Sequence, residues 1–252
     1  MNRREFLGAA AIGAGAAAAG CAGGAPATGG STASSDLPEA IRALKPMTDG
    51  VVPIADDERR ARIAKAQKLM AEQQIDAIFM EGTASCFYFA NMRWGQSERT
   101  FGVVIPAKGD LAYVCPAFEE DRARELIKFG NEVRTWEEHE SPYALIAGIV
   151  RDRGVQHHRI GMEERVRFFI ADGVRKAAPG FEIVDATPVT AGCRIYKSKA
   201  EIALMQRAMD ATIVAYRAAF TTMKEGMTQG ELSANISAAF RALGFDGGAS
   251  VQ

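Results

Sequence analysis

GCRIYKSKAEIALMQRAMDATIVAYRAAFTTMKEGMTQGELSANISAAFRALG, residues 192–244, carries two helices with their own start and stop signals. Ser198 and Glu201 have the S-x-x-E spacing of a capping box, in which each side chain meets an orphan N–H at the helix start. Behind it Ile202, Met205, Met209, Ile213, Tyr216, Phe220 and Met223 recur every three or four residues and make one apolar stripe. Gly226 supplies the expected stop. Thr228 and Glu231 form a second capping box, and Leu232, Ile236, Phe240 and Leu243 a second stripe that Gly244 ends.

Upstream, helices and strands alternate. Residues 56–74 read as a helix with Ile63, Ala66, Gln67, Leu69 and Met70 facing inward and Arg59, Arg60, Arg62, Lys65 and Lys68 facing out. Residues 76–80 are a short buried strand, 82–85 a turn, and 86–89 one apolar helical turn. Residues 99–105 and 111–114 form a hairpin around Pro106-Ala-Lys-Gly-Asp110. Then come a charged helix over 118–129 and a strand over 132–136. Ser141 as cap and Pro142 in the first turn open a helix to about Arg153, stopped at Gly154. A strand at 159–162, a helix at 168–178 and a strand at 181–184 follow, and Thr187-Pro188 opens a short helix. The alternation predicts α/β class with a mixed sheet, the hairpin being its antiparallel part.

Arg194-Ile-Tyr-Lys-Ser-Lys-Ala-Glu-Ile202, a long helix, and then Gly226-Met-Thr-Gln-Gly-Glu-Leu232 resemble the opening of the catalytic domain in the Xaa-Pro aminopeptidase, prolidase and creatinase family. The order of upstream segments resembles the amino-terminal domain of the same family. The resemblance implies a creatinase-type amino-terminal α/β domain at 51–187, followed at 188–252 by the start of an incomplete pita-bread (α+β) domain. It also implies a hydrolase with two divalent metal ions (Mn, Co or Zn) held by two Asp, one His and two Glu. Such a site activates one shared water. Peptides with a prolyl residue are the implied substrates and a homodimer the implied assembly.

The only histidines are His139, His157 and His158, all upstream of the catalytic opening, and none matches the family's ligand. The chain is therefore expected to be the front half of a metallopeptidase, inactive by itself, with neither catalytic nor metal-binding residues. A creatinase-like amidine hydrolase on the same fold is an alternative. So is a short product acting as a dimerising or peptide-binding module. Without a following sheet both stripes are expected to lie bare, and residues beyond Lys197 to be cut first by protease.

The amino terminus reads differently. Arg3 and Arg4, in Asn2-Arg-Arg-Glu-Phe-Leu7, resemble a twin-arginine export signal, followed by an Ala/Gly run to Gly20. Ala18-Ala-Gly-Cys21 resembles a lipoprotein cleavage box, with Ala18 where Leu is usual. Cys21 is then the lipidation site; cleavage without a lipid is the alternative. Residues 1–21 are assigned to the signal and 22–50, rich in Ala, Gly, Ser and Pro, to a flexible linker. The expected location is periplasmic or membrane-anchored, with contact to the membrane only through the signal or the lipid.

Composition narrows the partners. Lys and Arg number 30 against 31 Asp and Glu, well mixed, which gives no basic face for nucleic acid. Cys86, Cys115 and Cys193 sit among apolar neighbours and read as buried, inert thiols. Glu137-Glu-His-Glu140 reads as a solvated loop before a helix, since adjacent side chains seldom converge on one ion. The best candidate for binding is Asn91-Met-Arg-Trp-Gly-Gln-Ser-Glu-Arg99. In the resembling family this domain can border the active site of the dimer partner. Arg93 or Arg99 would then meet a substrate carboxylate and Trp94 stack on a ring. The plainer reading is a strand-end loop with solvated arginines and a half-buried Trp.

Overall fold

The computed structural model describes residues 37–246. A six-stranded mixed sheet runs β4-β3-β2-β1-β5-β6, with β1 Ala77–Met80, β2 Gly102–Pro106, β3 Ala112–Pro116, β4 Glu132–Trp136, β5 Arg159–Met162 and β6 Glu182–Asp185. β2 is antiparallel to both β1 and β3, whereas β1/β5, β5/β6 and β3/β4 are parallel. The fold is thus the mixed α/β class read from the sequence.

Both faces of the sheet are covered, and strand periodicity decides which residue goes where. Ile78, Met80, Val103, Ile105, Tyr113 and Cys115 point to one face. There they meet helices α1 Asp56–Glu72, α2 Ala84–Ala90, α3 Glu120–Leu126 and α4 Thr187–Arg194. The alternate residues Ala77, Phe79, Val104, Ala112 and Val114 meet α5 Pro142–Asp152 and α6 Phe168–Ala177 on the other face. Because both faces are buried, β1, β2 and β3 read as continuous apolar runs. Edge strands β4 and β6 stay half open.

One buried carboxylate pins the turn into β5. Asp76, 5% exposed, accepts from the backbone N–H groups of Gln156 (2.9 Å), His157 (3.1 Å) and Arg159 (3.1 Å). The turn includes His158 in the left-handed region, at φ 55°.

Beyond α4, two long helices form a separate layer: α7 Lys199–Phe220 and α8 Gln229–Ala242. Both capping boxes are present, at Ser198/Glu201 and Thr228/Glu231. α7 stops at Phe220, six residues before Gly226. Thr221 and Thr222 donate their hydroxyls back to the carbonyls of Ala218 (2.7 Å) and Ala219 (2.6 Å), and Gly226, at φ 81°, shapes the turn that follows.

Several expectations are corrected. Arg59 and Arg62, expected outward, are 4% and 7% exposed. They lie one turn before Ile63 and Ala66 on the same helix face, so the apolar period carries them inward. The helix expected over 118–129 is shorter, a 3-10 turn Ala117–Glu119 leading into Glu120–Leu126, and Phe118 is exposed. Within the expected linker, Leu37, Ile41, Leu44 and Met47 have helical spacing and pack on α7 and α8, with Ile41 fully buried. Val189 and Cys193 join the core of the sheet domain, so that domain extends past 187 to the end of α4. The second stripe is not bare: Ile236 and Leu243 are buried, and Leu243 and Phe240 pack in one cluster with Ala211 and Ala215 of α7. The first stripe is open, with Ile202, Met205, Met209, Ile213, Phe220 and Met223 each 43–58% exposed. Small residues face α8 instead, which lets the two backbones approach closely. The signal, Cys21 and residues 247–252 lie outside the described residues.

Cys86, Cys115 and Cys193 are buried and free, as expected. Burial pushes the thiols of Cys86 and Cys115 from an ordinary 9.0 up to about 12, helped by Glu163 near Cys86 and by Glu119 and Glu120 near Cys115.

Two outcomes follow from this packing. Asp76→Ala strands three backbone donors and is expected to cost about 3 kcal/mol in urea unfolding, given about 1–3 kcal/mol per buried group left unsatisfied. An unchanged midpoint would remove Asp76 as the anchor of the turn. The second outcome concerns alkaline pH. A thiol whose folded pKa is raised stabilises the fold fully below its unfolded pKa and loses that stabilisation as pH rises. Stability should therefore fall between pH 9 and about 12. The fall should be shallower in Cys86→Ala/Cys115→Ala; identical slopes in the two proteins would contradict the assignment.

Candidate functional site

The loop 91–99 begins where α2 ends, at Asn91 in the left-handed region, φ 55°. Its path is set by close packing. A Cβ on Gly82 would sit 2.3 Å from the carbonyl oxygen of Trp94, so only glycine lets the loop lie this near the end of β1. The loop is also tethered by Arg167, whose Nη1 donates to the Ser97 carbonyl at 2.6 Å. Arg167 is itself held by Glu81, 1% exposed, through Nε (3.0 Å) and Nη2 (2.6 Å). Glu81 follows β1, and Glu163, 2% exposed, follows the parallel neighbour β5 and accepts from the Thr83 hydroxyl at 3.1 Å. Two buried carboxylates at adjacent strand ends thus fix the ground on which the loop stands.

The three binding candidates fall in different settings. Arg93 is exposed, with its guanidinium 4.2 Å from the Phe87 ring centroid. Arg99 pairs with Glu138 (Nε–Oε1 2.6 Å) and Glu98, and lies over Phe118. Hydrogen bonding to Glu138 and its charge raise the Arg99 pKa further. Trp94 is 7% exposed, stacked on Phe101 at 3.9 Å, with Arg122 4.6 Å from its ring. A ring so enclosed cannot also stack on a ligand. The expectation for Trp94 is corrected: it props the loop from beneath and leaves Arg93 to face solvent.

His139, His157 and His158 are exposed; His157 and His158 are neighbours in the turn before β5, and His139 lies in a separate loop after β4. Among the described residues no group of three or more His, Cys, Asp or Glu side chains is placed to hold a metal ion. The described residues do not fit the implied two-metal site, and no hydrolytic step is assigned to them.

A second feature was not anticipated. A cleft of about 580 Å³ opens where α1, α2 and α4 meet the start of α7, lined by Arg59, Arg62, Phe87, Tyr88, Arg194 and Lys197 among others. Arg59 Nη1 donates to the Phe87 carbonyl (2.5 Å) and the Tyr88 carbonyl (3.2 Å), in the last turn of α2. A cation there meets the negative end of the helix dipole. Arg62 Nη2 bridges Glu58 (2.6 Å) and Glu201 (3.3 Å), and Glu58 also accepts from the Ser198 hydroxyl (2.9 Å). Lys65 donates to the carbonyls of Gly192 and Cys193, and Tyr88 Oη to the latter at 3.0 Å. The capping box of α7 is thereby clasped to α1, some 140 residues earlier in the chain. The signal was present in the sequence: extending the inner face of α1 back from Ile63 puts Arg59 and Arg62 on it.

Comparison with known proteins agrees with this layout. Residues 62–196 match the Creatinase/Prolidase N-terminal domain. An uncharacterized peptidase of Schizosaccharomyces pombe is 34% identical over 216 residues, 78% of this chain and 45% of that protein. An Xaa-Pro dipeptidase of Pyrococcus furiosus is 22% identical over 177 residues, 70% of this chain and 47% of that protein. Among solved structures, a prolidase from Thermococcus sibiricus has the same fold at a TM-score of 0.64 and 20% identity, covering 75% of this chain and 50% of that one. Dipeptidase PepE from Mycobacterium ulcerans gives 0.65 and 22%, covering 75% and 51%. The chain spans about half the length of the curated relatives it matches. With more than half of its residues forming that domain, the chain belongs to the creatinase/prolidase family.

Proposed function

We propose that this chain is the amino-terminal part of an exported Xaa-Pro-type aminopeptidase or dipeptidase. The observation that carries the reading is the continuity of the likeness, which runs from the sheet domain into the long helices in proteins named prolidase and Xaa-Pro dipeptidase. The clasp between α1 and the α7 cap is the physical link across that span. When bound, two divalent ions (Mn, Co or Zn) supply a metal-activated water for attack on a peptide carbonyl. The described residues contribute no ligands to them. Their part is to bind and orient. On this reading loop 91–99 borders the active site of a partner subunit in a homodimer. Arg93 and Arg99 meet the carboxylate of a prolyl peptide there, and Trp94 holds the loop rigid. Guanidinium suits this task because its planar fork matches a carboxylate bidentately.

The purified 252-residue chain is expected to release no proline from Xaa-Pro dipeptides and to retain less than about one equivalent of Mn, Co or Zn after dialysis, for want of a converging ligand set. A full equivalent that disappears in His139→Ala would overturn this. The transcript downstream of the Gln252 codon should encode two Asp, one His and two Glu in frame. A stop codon there would instead favour a dimerising or peptide-binding module.

Export is tested separately. Arg3→Lys with Arg4→Lys should leave the protein in the cytoplasm, and Cys21→Ala should move it from the membrane to the soluble fraction. Equal periplasmic yield from the Lys variant would reject the twin-arginine route.

A further inference from the structure

The cleft between the sheet domain and α7 has an unbalanced lining. Arg59, Arg62, Arg194 and Lys197 face two carboxylates, Glu164 and Glu201, an excess of two positive charges. The pairing shows where the excess sits. Arg62 pairs with Glu201 and with Glu58 behind it, and Arg194 pairs with Glu164 at 3.2 Å. Arg59 and Lys197 have no carboxylate within 4.0 Å among the described residues. Lys197 donates to the Arg194 carbonyl at 2.6 Å and Arg59 to two carbonyls of α2. Carbonyl oxygens satisfy donors but carry no net charge.

Arg59 is the costly member. It is 4% exposed, lies beside the buried Arg62, and has a buried Nε–H with no acceptor. Asp56 and Glu58 of its own helix attract it from a distance, but no carboxylate touches it, and a buried charge without a contacting counter-ion costs free energy that an anion nearby offsets. The remaining wall is apolar and aromatic: Ile54, Ala84, Phe87 and Tyr88, with Arg59 5.0 Å from the Phe87 ring centroid. A small inorganic anion would leave that wall wet. An anion with an apolar body would use both features.

We propose that this cleft binds an organic carboxylate, its charged group between Arg59 and Lys197 and its apolar body against Phe87 and Tyr88. The free acid of a small metabolite and the carboxyl terminus of a short peptide share this chemistry. The site contains none of the loop residues 91–99 and does not rest on the hydrolytic reading. Because the cleft is bounded by both α1 and the start of α7, an occupant joins the sheet domain to the helical layer.

Phenylacetate, its neutral isostere phenylacetamide, and inorganic phosphate are titrated into the full chain in low-chloride buffer at constant ionic strength, followed by NMR. Phenylacetate should give saturable shifts at Phe87, Tyr88 and Lys197. Phenylacetamide should give none, and phosphate should compete only weakly. Lys197→Gln removes an exposed cation outside the core and should weaken phenylacetate binding about fivefold or more, the worth of one charge-assisted contact. Acetyl-Ala-Phe against its carboxamide then distinguishes the sources. Tighter binding of the free peptide than of phenylacetate assigns a peptide terminus, and weaker binding a small acid. Absence of saturable shifts in the wild-type chain, equal response to phenylacetamide, phosphate as tight as phenylacetate, or unchanged affinity in Lys197→Gln would each overturn the proposal.

Discussion

Arg62 sits where three parts of the chain meet, and its guanidinium must be satisfied there because it is 7% exposed. It takes Glu58 from its own helix, Glu201 from the first turn of α7, and the Tyr88 carbonyl from the end of α2. Its plane also lies 4.0 Å from the Tyr88 ring centroid. Buried ion pairs add little net stability, since desolvation cancels most of the attraction, but they tolerate few geometries. Removing one partner strands the other charge. The direction in which α7 leaves the sheet domain is therefore set by charge placement more than by apolar contact. Glu201 serves twice, accepting from the Ser198 N–H at 2.8 Å as the cap and meeting Arg62 across the junction.

The sheet domain depends on a parallel logic at its strand ends. Asp76 before β1, Glu81 after it and Glu163 after β5 are all nearly inaccessible. Each is met by backbone N–H groups, a hydroxyl or a guanidinium. These contacts turn the ends of β1 and β5 into rigid mounts. Loop 91–99 stands on one of them through Arg167 and Gly82. A loop held this way presents Arg93 to solvent with little conformational freedom left to lose.

The helical layer has two unlike faces. Ala211 and Ala215 turn toward α8 and the segment around Ile41, and Ala218 and Ala219 are buried in the last turn. The opposite row of Met, Ile and Phe side chains is open to water. Six large apolar residues in one row exceed the scattered exposure normal for a surface. The row belongs to the part of the chain that follows the family's amino-terminal domain.

Much of this protein was legible in local pattern. The two capping boxes, the exact spans of β4 and β5, and the alternation of helices and strands all rest on interactions within a few residues, where side-chain period and backbone chemistry suffice. What stayed hidden depends on partners far away in the chain. The long stripe of α7 looked like its core face, but helical period alone cannot tell which side a neighbour will cover, and alanines won the contact because they admit a closer backbone. Leu37 to Met47 looked like linker because its apolar residues are sparse, and only α7 and α8 give them a surface to cover. Trp94 looked available in a polar loop until Phe101 and Arg122 closed over it. Arg59 and Arg62 looked like solvated charges because local rules place arginine outside. Their burial was decided by the carbonyls at the end of α2 and by Glu201, whose offer of compensation exists only once the chain has folded back on itself.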